Sequence, residues 1–146
     1  MANRIDNAID KLETALNTLV VANGSGTLRA VVRRLLNVLD EPAWPIASIL
    51  PTGSRRTGGP GSPQGWVTTV PIRLVTRVGK PADADAAITE LVGKVQGAID
   101  TLAQAGTAGA AIDLPSWSYI YVPTNSAVIV AAYGEIRVQT QGAIAV

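Results

Sequence analysis

The sequence predicts a single domain that mixes α-helices with β-strands, and three observations predict it. Residues 4–21 and 82–104 repeat apolar side chains at the 3.6-residue spacing of an amphipathic helix. Trp66–Val78 and residues 127–140 alternate with the two-residue period of a strand. The chain has 146 residues, enough to bury one core but hardly two. That core must be aliphatic, because 47% of the residues are apolar yet the aromatics are only three Trp and three Tyr, with no Phe.

In the first helix, Ile5, Ile9, Leu12, Leu16, Leu19 and Val20 form the buried stripe. Asn3 suits the N-cap, and Asp6 in the first turn suits the helix dipole. Asp6, Asp10 and Glu13 line one flank, as either a solvated face or a docking edge for a basic neighbour. Asn23-Gly24-Ser25-Gly26 ends this helix. From Thr27 to Leu39 the periodicity of Leu28, Val31, Val32, Leu35 and Leu39 favours a helix, although 28–33 also reads as a strand. Pro42, Pro45 and Pro51 then mark an extended, irregular passage through Trp44 and Ile49. Residues 52–65 hold five glycines and two prolines, which exclude a helix or a central strand and predict a flexible loop. Arg55 and Arg56 near its start belong to a hairpin tip or to an arm that orders against another subunit.

In the strand 66–78, Val70, Ile72 and Leu74 share one face with Thr68, Thr76 and Val78, and Val75 lies on the other with Arg73 and Arg77. Pro71 lacks an N–H, so it marks an edge or a bulge. The second helix buries Ile88, Leu91, Val92, Val95, Ile99 and Leu102, with Asp83 and Asp85 at its start. Gly93 and Gly97 fall on its outward face, either simply tolerated or allowing close approach of another backbone. After the small-residue stretch Ala105–Ala111 come a strand at 117–122, a turn at 123–126 and the last strand. Its core face carries Val128, Val130, Ala132, Ile136 and Val138; the opposite face, half apolar, hints at a covered surface.

The chain has neither His nor Cys, which removes the usual proton shuttle near neutral pH, the readiest nucleophile, the usual zinc ligands and any disulfide. Charged residues are only 16% and the net charge is +1, so general nucleic-acid affinity is not expected. No apolar run is long enough to span a bilayer, and the N-terminus has no signal-peptide pattern; a soluble protein made in a cytoplasm is expected. No P-loop, GxGxxG ahead of a helix or GxSxG elbow occurs. Asp83/Asp85 and Asp40/Glu41 are explained by capping and solvation, and Lys11, Lys80 and Lys94 read as exposed. The expectation is a protein that is not an enzyme and uses no metal or cofactor.

Three stretches resemble the tail terminator (tail completion) proteins of long-tailed bacteriophages. The first is helix Ile5–Val20 followed by Leu28–Arg34 and Trp44-Pro45-Ile46-Ala47-Ser48-Ile49-Leu50-Pro51. The others are Trp66–Val75 leading into the helix 82–104, and the closing strand Val128–Val138. The resemblance implies an α+β domain, a mostly antiparallel sheet of about four to five strands with two helices packed on one face. It makes Leu28–Arg33 a strand, and on that segment we follow it. It also implies a homo-oligomeric ring, six-fold in the family, at the head-proximal end of the tail tube. Such a ring ends tube polymerisation and meets the tail-tube protein and a head–tail connector or neck protein, while DNA passes through the lumen unread. On that view the acidic flank Asp6, Asp10 and Glu13 meets Arg29, Arg33 or Arg34 of the next subunit, Gly93 and Gly97 admit a neighbour, and the 52–65 arm orders on assembly. Another ring-forming phage part, or a small binding domain unrelated to phages, are the alternatives.

Overall fold

Among the described residues, two helices and a mixed sheet of seven strands form an α+β architecture. The computed structural model describes residues 4–20, 28–36, 44–57, 65–105, 110–114 and 116–141. The helices are α1 (Arg4–Asn17) and α2 (Ala84–Ala105), the second entered through a 3-10 turn at Pro81–Asp83. The strands are β1 (Ala30–Val32), β2 (Ile46–Ile49), β3 (Gly53–Thr57), β4 (Gly65–Val78), β5 (Ala110–Asp113), β6 (Trp117–Pro123) and β7 (Val128–Gln141). The sheet runs β1-β2-β4-β7-β5, with β3 also on β4 and β6 also on β7. Of the described strand pairs, β1 and β2 run parallel and the others antiparallel, and the isolated bridge between Val20 and Leu28 is also parallel.

The two helices pack on the same face of this sheet. Ile9, Leu12 and Leu16 of α1 and Ile88, Val95 and Ile99 of α2 close over Val70, Ile72 and Leu74 of β4 and Val130, Ile136 and Val138 of β7. All twelve are at most 2% exposed, so the sheet and helix periods read from the sequence pick out the same core. The other sheet face carries only a small cluster, in which Ile46, Val75, Ile129 and Ala131 are covered in part by Leu36 and Trp44. Part of the apolar outer face is thus covered by the chain itself.

Four expectations change, and one open segment is decided. α1 stops at Asn17 rather than near residue 21, and Val20 instead bridges Leu28. The strand expected within 28–33 is present as β1, against the helix that periodicity alone favoured: Leu28 is buried and β1 pairs with β2, while Leu35, which the helical stripe would bury, is 66% exposed. Consecutive Val31-Val32 suit a pleated strand, and the parallel pairing overrides the helical periodicity. The proline-rich passage contains β2, whose four residues are all buried between β1 and β4. The expected loop 52–65 begins with β3, laddered onto β4 from Gly53–Thr69 to Thr57–Gly65; 58–64 lie outside the described residues. Finally, seven strands replace four to five because short strands flank both long ones.

The flanking strands explain Pro71. On β4, Ile46 faces Val75 and Gly53 faces Thr69, so seven steps along β2–β3 match six along β4. One extra residue between them makes a bulge. The same offset recurs on β7, where Asp113 faces Arg137 and Trp117 faces Gly134, four steps against three. Pro71 lies in a central strand beside the first bulge: its carbonyl accepts from Leu50 N–H at 3.4 Å, so its missing donor faces the handover from β2 to β3. Gly134 lies at the second. A Cβ there would stand 2.9 Å from Leu114 Cδ1 and 3.2 Å from both Ile72 Cγ2 and Trp117 Cε3.

Candidate assembly surfaces

β1 carries Arg33 to the flank of α1, where the guanidinium bridges two carboxylates of its own chain. Nη2 pairs with Asp10 Oδ1, and Nε donates to Glu13 Oε2 at 2.5 Å. Burial works to lower the Arg33 pKa, but the hydrogen bonds and charges of Asp10 and Glu13 outweigh it and set it above its ordinary value. Asp10 and Glu13 thus hold, within one chain, an arginine that was expected to meet them from the next subunit. Asp6 sits exposed in the first turn of α1. Arg34 reaches back to the Leu35 carbonyl at 3.1 Å, and its own carbonyl accepts from Ser48 Oγ. Arg29 is exposed, with its N–H on the Pro45 carbonyl at 2.8 Å.

Gly93 and Gly97 lie exposed on α2, and a Cβ built at either meets nothing within 4 Å. Gly97 edges a groove of about 420 Å³ between the helices, lined by Ala15, Leu19, Ala98 and Leu102 with Lys94 at its rim. Arg55 and Arg56 are exposed on β3, opposite Val67 and Trp66. Strand alternation puts Arg55 on the helix-free face with Arg73, Arg77 and Arg137, among which stand Asp113 and Glu135. Arg73 lies 5.9 Å from the Tyr133 ring centroid, and Arg77 donates to Ser126 Oγ at 3.1 Å. A cavity of about 310 Å³ opens on that face beside Pro71, Arg73, Ser116, Tyr133 and Glu135.

Sequence reasoning missed the edge of β6, which among the described residues pairs with no strand on its outer side. Tyr119, Ile120 and Tyr121 are 42%, 47% and 46% exposed, and the strand holds no charged residue. A run of Trp, Tyr, Ile and Val reads as a buried strand, and nothing local says otherwise. At its start, Trp117 is anchored by its indole N–H, which donates to Gln96 Oε1 of α2 at 2.8 Å.

Among the described residues, no group of three or more His, Cys, Asp or Glu is placed to hold a metal ion, and no helix is long and apolar enough to cross a membrane. Comparison with protein-family models and with curated proteins gives no match.

Proposed function

We propose that the chain is a structural, non-catalytic subunit of a long-tailed bacteriophage virion, made in the host cytoplasm. Copies form a ring at the head-proximal end of the tail tube, where the ring ends tube polymerisation and makes the joint to the head or neck. The observation that carries this reading is the two-layer build. Both helices lie on one face of the sheet, leaving the other face to a small cluster and a row of arginines. Such a subunit suits assembly, because its uncovered sheet face and open edges become buried only beside neighbours. The tail-tube protein and a connector or neck protein are the axial partners, and DNA crosses the lumen without base-specific contact.

Immunogold electron microscopy of lysate particles, with an antibody against this chain, tests the reading. Label at one point between head and tail is expected, together with tails of altered length in a deletion mutant. Label along the whole tail makes it a tube protein, and absence of label on every particle overturns a virion role. The cavity beside Arg73 and Tyr133 favours a second reading, a small-molecule binding domain. A specific ligand found by thermal-shift screening, lost on Arg73→Ala, would support it.

A further inference from the structure

The β6 edge has a hydrogen-bonding pattern that its sequence makes self-complementary. In the turn after β6, Thr124 N–H donates to the Ala127 carbonyl at 2.8 Å, and Pro123 faces Val128 next along the ladder. Antiparallel pairs alternate between hydrogen-bonded and non-hydrogen-bonded. Ser118, Ile120 and Val122 therefore bond inward to β7, while Trp117, Tyr119 and Tyr121 turn their N–H and C=O groups outward. Pro123 has the outward parity but no N–H, so the outward donors stop there. Within β6 the outward series reads Trp117, Tyr119, Tyr121, Pro123, with its three aromatics centred on Tyr119.

Strand edges in monomers are usually blunted by charge, shortness or cover. β1 has three residues, its approach at Leu28 is bridged by Val20, and Arg29 and Arg33 flank it. β3 carries Arg55 and Arg56 at its centre, and β5 has four residues ending in Asp113. β6 has seven residues and no charge, so a charged peptide finds no counter-ion on it.

We propose that β6 is a self-pairing edge: two copies of this chain join antiparallel through β6 about a two-fold axis at Tyr119. In this register Tyr119 faces Tyr119 of the second copy, and Trp117 faces Tyr121 in both directions. Each outward N–H and C=O of the three aromatic residues finds a partner, and Pro123 falls outside the paired core. A one-step shift of the axis to Ile120 brings Pro123 opposite Trp117 and loses a donor at each end. The rings lie on the helix side of the sheet, past the reach of α2 beyond Trp117, as a cross-strand aromatic ladder. This pairing does not depend on the ring reading. It describes the free subunit, and protects an edge otherwise open to aggregation.

The test is sedimentation velocity on the purified chain from about 1 to 100 µM, a range suited to a small, weak interface. A monomer–dimer equilibrium is expected, and Tyr119→Lys, which sets two ammonium groups opposite each other, shifts it at least tenfold toward monomer with unchanged circular dichroism. The chain has no cysteine, so Tyr119→Cys places one thiol, and a hydrogen-bonded pair lies within disulfide reach. Oxidation should cross-link Tyr119→Cys to itself but not Tyr121→Cys, which should cross-link only when mixed with Trp117→Cys. If Tyr119→Lys fails to fold, this cross-linking pattern decides alone. A monomer at every concentration, a dimer surviving Tyr119→Lys, equal self-cross-linking of Tyr121→Cys, or a closed ring in place of dimers overturns the proposal. None of these touches the labelling of particles, which judges the tail reading separately.

Discussion

Replacing Gly93 and Gly97 by alanine together should make the isolated protein more stable. Both glycines lie inside α2, and apart from the helix's own backbone and the adjoining residues no atom comes within 4 Å of a Cβ built at either position. Glycine costs about 1 kcal/mol against alanine in a helix interior, because its backbone has more freedom to lose. The added methyl groups meet open space, so no steric cost offsets that gain. The pair should add about 2 kcal/mol, which for a domain of this size raises the melting temperature by about 4–8 °C. Thermal unfolding followed by circular dichroism, with urea titration beside it, measures both quantities. An unchanged or lowered midpoint refutes the reasoning, since α2 would then have to be constrained at these positions. The same variant separates stability from assembly. If a neighbouring backbone approaches α2 through the glycines, the variant is more stable alone yet fails to enter particles. Normal incorporation would eliminate the close-approach role and leave the stability result standing.

Other outcomes follow from the same geometry. Arg33→Ala removes the bridge to Asp10 and Glu13; because these groups are partly exposed, chemical denaturation should show a loss of about 1 kcal/mol, shrinking in 1 M salt. A double-mutant cycle with Asp10→Ala should give positive coupling within the monomer, and zero coupling would mean the bridge is absent in solution. Leu12→Ala, at a fully buried site between α1 and the sheet, should cost about 2–5 kcal/mol by the same assay. Gly134→Val drives side-chain atoms toward Leu114, Ile72 and Trp117, and should cost about 1–3 kcal/mol with altered near-ultraviolet dichroism. Wild-type stability in that variant would show that the second bulge yields readily.

The parts of the fold legible in the sequence were those whose period ran uninterrupted. α2, β4 and β7 each hold their phase for 14 residues or more, and most core-face positions named by the spacing are buried, although Val75, Ile129 and Ala131 are buried on the other face. β2, β3 and β5 were not legible, for two physical reasons. β2 is buried on both faces, so it has no alternation to show. The bulges shift the phase: odd positions face the core in β2 and even positions in β3, so neither can be read as a continuation of the other. The surfaces were legible in composition but not in pairing. Charges on α1 and after β1 are visible in the sequence, but that Arg33 closes on Asp10 and Glu13 within one chain depends on where β1 docks. The open edge of β6 depends on sheet order, which no local pattern encodes.

The two bulges have a mechanical consequence. They lie level with each other, near Pro71 opposite Glu135, so only β4 and β7 cross the line between them unbroken. The described part of the sheet beyond that line, toward Gly65 and Gln141, is joined to the rest by this two-stranded ribbon and by the packing of both helices. Ribbons of two strands twist more readily than wide sheets. A load applied to the subunit should therefore turn one end of the sheet against the other about this line, with the helices acting as the brace that limits the rotation.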